Sequence, residues 1–141
     1  MKSVIIFSLS FLIALTSCNQ TDDNVEPPTA VINGWNLEEL YINGQLQDAN
    51  QTPATYLSIS EDNQYYRNYI TGNWSFSSNA KNIIFSPEQI LELAEKQYQI
   101  IEVTDNILII ECNMTEEEYF WDFPEIDDGE IITIREKFVA N

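Results

Sequence analysis

The sequence predicts an all-β domain, an antiparallel up-and-down barrel of about eight strands with one short helix. Two observations carry this expectation. From Val31 onward, short runs rich in β-branched and aromatic residues alternate with turn sequences such as Asn43-Gly44 and Asp105-Asn106, the pattern of successive hairpins. The composition, 44% hydrophobic and 12% aromatic, is rich enough to build a core in spite of a formal net charge of −17. An open meander of this length would leave strand edges unpaired, and closing the sheet on itself removes them.

The chain opens differently. Lys2 precedes an apolar run from Val4 to Leu15, broken only by Ser8 and Ser10, with small residues at its end. This is the form of a secretory signal, and the run falls short of the roughly 20 apolar residues that a spanning helix needs. Leu15-Thr16-Ser17-Cys18 resembles a bacterial lipobox. The resemblance implies cleavage before Cys18, acylation of its thiol by chains such as palmitate, and a membrane contact made through that anchor. Residues 1–17 are then a lipoprotein signal peptide. Residues 18–30 are the lipidated cysteine and an acidic tether, in which Asp22, Asp23 and Glu26 lead to Pro27-Pro28, a pair that favours an extended spacer. Asp22-Asp23 resembles the acidic export signals of surface lipoproteins in Bacteroidota, and it also reads simply as a solvated linker. The expected location is the cell envelope, in the outer membrane, facing the periplasm or the surface.

Residues 31–141 form the predicted barrel domain. Trp35 to Ile42 makes the first strand and stops at Asn43-Gly44. Thr55 to Ile59 alternates and turns at Glu61-Asp62-Asn63. Tyr65 to Ile70 is expected to run to a turn at Thr71-Gly72-Asn73. Asn73 to Phe76 then leads to Ser77-Ser78-Asn79, and Lys81 to Phe85 follows. Ser86, Pro87 and Gln89 match a capping box with proline at the first helical position. With Ile90, Leu93 and Ala94 on one face, they predict a short helix ending near Lys96. Tyr98 to Val103 and Ile107 to Cys112 form a hairpin about Asp105-Asn106. Thr115 to Glu118 reads either as a helical turn or as the start of a strand. Tyr119 to Phe123 is β-like, residues 124–129 are a loop, and Ile131 to Phe138 closes the chain.

Three features, in this order, point to a family. They are Asn33-Gly34-Trp35-Asn36-Leu37 just after the tether, the Gly-x-Trp-x-Phe of Gly72 to Phe76, and the hairpin from Tyr98 to Ile110. Together they resemble the small lipocalin-like lipoproteins of Bacteroidota over about Ile32 to Phe138. The resemblance implies a lipocalin-like barrel entered through a Gly-x-Trp strand.

Chemistry is narrowly bounded. With 23 Asp and Glu against 6 Lys and Arg, the chain repels phosphate backbones, whose binding depends on cationic side chains. Nucleic acid is excluded as a partner, and an anionic membrane surface is equally unattractive. There is no histidine, so the usual acid–base residue near neutral pH is missing. Cys112 lacks an activating base and reads as a small apolar core residue. No phosphate loop, serine elbow or metal-ligand spacing occurs. Asp127-Asp128-Gly129-Glu130 and the run from Asp122 to Glu125 read as polar loop rather than as a calcium site. The expectation is a protein that is not an enzyme, with no catalytic residue, metal or cofactor.

The aromatic set is the remaining signal. Trp35, Trp74 and Phe76 suit a core. Rings with a polar tip also suit a pocket mouth, which makes Tyr65, Tyr66, Tyr69, Trp74 and Tyr98 candidate ligand-binding residues, with packing the competing reading. Two functions follow. One is a module that binds a small hydrophobic or amphipathic ligand in the barrel mouth. The other is a structural or accessory lipoprotein that contacts another envelope protein. A carboxylate-based hydrolase would demand two inward carboxylates facing each other. Cys18→Ala is expected to abolish both membrane partitioning and labelling by an acyl precursor. Label retained in that variant would show that the thiol is not the attachment point.

Overall fold

Alternating residues acquire an inside and an outside only when the sheet closes. In a computed structural model of the chain, which describes residues 27–50, 52–88, 94–119, 123, 125–127 and 129–141, the sheet does close. Its strands are β1 (Asn33–Ile42), β2 (Gln45–Leu46), β3 (Tyr56–Ile59), β4 (Gln64–Arg67), β5 (Ile70–Phe76), β6 (Asn82–Pro87), β7 (Lys96–Val103), β8 (Ile107–Thr115) and β9 (Ile131–Ala140). All pairings are antiparallel, neighbours from β3 to β9 follow chain order, and β1 pairs both β3 and β9. Eight strands thus form a closed barrel, and two-residue β2 is an extra strand hairpinned onto the end of β1.

Inward side chains alternate as the pleat requires. On β9, Ile132, Ile134, Glu136 and Phe138 are each fully buried, while Arg135 between them faces outward. Two bulges keep long strands in phase with the core. On β1 the register shifts between Leu37 and Glu39, so the inward set passes from Trp35 and Leu37 to Leu40 and Ile42. On β7 the shift between Ile100 and Glu102 moves it from Tyr98 and Ile100 to Val103. An extra residue in one strand reverses which face each later side chain takes.

The two ends of the barrel differ. At one end the connections are tight: β3–β4, β5–β6 and β7–β8. The 3₁₀ turn Thr29–Val31 lies there, with Val31 and Trp35 both fully buried and the Trp35 indole N–H donating to the Val31 carbonyl at 2.9 Å. The β1–β2 and β4–β5 turns and the longer connections after β6 and β8 gather at the other end, the mouth. Every buried core side chain that the structure describes lies between Val31 and Phe138. The signal segment and Cys18 lie outside the described residues.

Local expectations fared unevenly. Asn43 (φ 50°) and Gly44 (φ 79°) both take left-handed backbone, as a two-residue hairpin turn demands. Thr115 to Glu118 resolves as a 3₁₀ turn, Glu116–Glu118, with a reciprocal Thr115–Glu118 capping box. Expectations are corrected at three places. The chain reverses at Asn68-Tyr69, where Asn68 has φ 53°, and Thr71-Gly72-Asn73 runs straight within β5. Gly72 serves close approach instead of a turn. A Cβ there would come within 2.2 Å of the Ser86 carbonyl oxygen and 2.8 Å of Tyr65 Cε1. The expected helix also fails at its start, because Ser86 and Pro87 end β6. Ser86 Oγ donates to Glu95 at 2.7 Å instead of capping. Ala94 and Glu95 are irregular and Lys96 already belongs to β7, while residues 89–93 lie outside the described set. Tyr119 and Phe123, the described ends of the β-like stretch, are not in strand.

Gly72→Ala is expected to destabilise the barrel by about 1–3 kcal/mol through forced displacement of packed backbone. Urea unfolding reads it, and an unchanged midpoint would remove close approach as the reason for glycine.

Candidate functional site

Strand parity carries a charged pair into the barrel. Arg67 follows Tyr65 by two on β4 and so shares its inward face. Glu136 holds the inward place between Ile134 and Phe138 on β9. Arg67 is 8% exposed and Glu136 is fully buried, and Arg67 Nη2 donates to Glu136 Oε1 at 2.5 Å. Tyr119 Oη donates to the same oxygen at 2.8 Å, and Arg67 Nη1 donates to Tyr98 Oη at 3.3 Å. The guanidinium carbon also lies 5.9 Å from the Tyr119 ring centre, within cation–π range. Glu136 Oε2 finds no partner among the described residues.

Burial opposes the charge on Arg67, but Glu136, Tyr98 and Tyr119 more than offset it and hold the guanidinium above its ordinary range. Burial pushes both phenols up, Tyr98 and Tyr119 alike, so both keep their hydroxyl hydrogens at any physiological pH.

Above this cluster lies a cavity of about 40 Å³ that opens toward the mouth, lined by Tyr65, Arg67, Ile70, Phe85, Pro87, Ala94, Lys96, Tyr98, Glu118 and Tyr119. Its aromatic wall is continuous. The Tyr65 and Phe85 ring centres are 4.8 Å apart, and those of Phe85 and Tyr98 are 5.8 Å apart. At the rim Lys96 Nζ pairs with Glu118, which is also fixed by the Thr115 backbone N–H at 2.9 Å. The Lys96 hydrogen bond, then that backbone bond, hold the Glu118 carboxyl below its usual range. A cavity of about 40 Å³ is far smaller than the roughly 150 Å³ space that admits benzene in an engineered core.

The five candidate aromatics part company here. Tyr65 and Tyr98 line the cavity. Trp74 is buried in the core, with its indole N–H donating to the Ser60 carbonyl at 2.9 Å and its ring edge-on to Phe76. Tyr66 faces outward at 41% exposure beside Tyr56, and Tyr69 stands on the β4–β5 turn at 92% exposure. Arg67, Glu136, Tyr119, Phe85, Lys96 and Glu118 were not singled out from the sequence. Period-two alternation from Tyr65 and from Ile132 marks Arg67 and Glu136 as inward, and that signal was readable.

Other groups are less engaged. The Cys112 thiol is half-buried and unpaired, and burial raises its pKa. The buried carboxylates among the described residues have separate partners: Glu136 faces Arg67, and Glu116 accepts the Phe123 backbone N–H at 2.7 Å. Among the described residues no three carboxylate or thiol groups converge as a cation site.

Arg67→Met is expected to cost about 3–5 kcal/mol, since it strands a buried carboxylate, whereas Arg67→Met with Glu136→Leu should recover most of that loss. Chemical denaturation of both variants reads the difference. A double variant no more stable than the single one would show that the pair is not the source of the loss. Compared with protein-family models, curated proteins and solved structures, the chain has no match.

Proposed function

We propose that the chain is a lipid-anchored lipoprotein of the cell envelope whose lipocalin-like barrel is a binding module, not an enzyme. Its ligand is a small hydrophobic or amphipathic molecule taken at the mouth. The observation that carries this reading is the aromatic-walled cavity at the open end, with Arg67 and Tyr98 converging on its floor. Apolar walls with a few convergent polar groups are the usual form of a small-molecule site. The lipobox resemblance at Cys18 supports the anchor. The first described residues enter the barrel at its closed end, next to Trp35. An anchor joined at that end would leave the mouth, at the opposite end, to ligands in the aqueous phase.

A second reading, an accessory lipoprotein that contacts another envelope protein, draws on two observations. The cavity is small, and Leu46, Tyr69 and Ile131 are 59%, 92% and 72% exposed on elements of the mouth end. Native mass spectrometry of residues 19–141, gently purified from a cellular extract, separates the two. The binding module predicts a reproducible added mass that denaturation releases. A bare mass throughout favours the accessory protein.

A further inference from the structure

The charges and hydrogens around the cavity narrow the chemistry of the ligand's head. Among the described residues each cation that lines it already has a carboxylate: Arg67 pairs with Glu136 and Lys96 pairs with Glu118. The floor is therefore electrically balanced, inside a chain of net charge −17. An anionic head would add an uncompensated charge to a water-poor site, and a cationic head would face the guanidinium; both are costly.

Hydrogen bonding then selects among neutral groups. Tyr98 Oη accepts from Arg67, so its own hydrogen is left to donate. Among the described residues Arg67 uses two N–H donors, one to Tyr98 and one to Glu136, of the five that a guanidinium carries. Tyr119 has already committed its hydrogen to Glu136. The floor thus offers donors from two side chains, converging from β4 and β7, and asks for an acceptor.

Resting on the binding reading above, we propose that the cavity takes an uncharged carbonyl head, as in an acyl amide, ester, ketone or aldehyde. Its oxygen accepts from Tyr98 Oη and Arg67, and its apolar chain leaves past Tyr65, Phe85 and Ile70 toward the mouth. A cavity of about 40 Å³ suits such a head and keeps longer parts at the rim.

Three probes of one chain length, hexanamide, hexanoate and hexylammonium, test this on residues 19–141 by NMR titration of the aromatic and Arg side-chain signals. Hexanamide is expected to shift Tyr98 and Arg67 and to bind at least ~10-fold more tightly than either ion, the minimum that charge desolvation should impose. Because Arg67 variants lose stability, the site variant is Tyr98→Phe, which removes only the donor. It should weaken hexanamide by about 5- to 10-fold, the worth of one neutral hydrogen bond. Hexanoate or hexylammonium binding the tighter, or hexanamide indifferent to Tyr98→Phe, would overturn the carbonyl assignment and leave the binding module standing. If none of the three perturbs the cavity residues, the binding module falls with it.

Discussion

The seam between β1 and β9 is the constraint on which the rest depends. β1 is shared among partners, pairing β3 through Asn33–Asn36, β9 from Trp35 to Ile42, and β2 at Tyr41 and Ile42. Once that seam is hydrogen-bonded the sheet has no long free edge, and each of the eight barrel strands has one face in the core and one in water. Side-chain parity then has consequences. The bulges at Leu37/Glu39 and Ile100/Glu102 exist because long strands must curve with the barrel without turning their apolar sets outward.

The same parity places an ion pair where none would be chosen for stability. Replacing a buried pair by apolar residues of similar volume is often neutral or favourable, so Arg67 and Glu136 do not explain why the barrel is stable. They set a charged, hydrogen-bonded level within an interior that is otherwise largely apolar among the described residues. Below them the core closes on Trp35, Val31 and Phe138. Above them aromatic rings frame a small opening that faces the mouth. Tyr119 is part of this level by virtue of the turn that follows β8, where the Thr115–Glu118 capping box and the Glu116–Phe123 contact shape the chain. The longer connections thus do more than join strands, since they carry side chains to the floor and rim of the cavity.

Legibility followed the range of the interactions concerned. Asn43-Gly44 was readable as a turn because both residues tolerate positive φ and the decision is local. Gly72 was misread for an instructive reason. Glycine is permitted in a turn and required at a close approach, and only the pairing of β5 with β4 and β6 distinguishes the two. Ser86-Pro87-Glu88-Gln89 carries a genuine helix-start pattern, yet Ser86 and Pro87 pair with Asn73 and Gly72 on β5. Ladder bonds to a neighbouring strand outweighed a local preference. For the site, Tyr65 and Tyr98 were within reach of composition and alternation. Glu136 was marked by the same alternation, from Ile132 and Ile134, but one acidic residue among 23 draws notice only once that strand's inward face is traced.

By itself the sequence determined that this is an antiparallel β protein with hairpin turns and a strongly acidic composition. Those properties arise from composition, periodicity and short motifs, each of which acts over a few residues. Tertiary structure alone decided which strand closes the barrel, which glycine is a contact, and which arginine meets which glutamate. Arg67 and Glu136 lie on strands far apart in the chain, and their encounter depends on closure, register and two bulges acting together. None of these can be computed from one segment, because a shift of a single residue in any strand would turn its inward side chains to water.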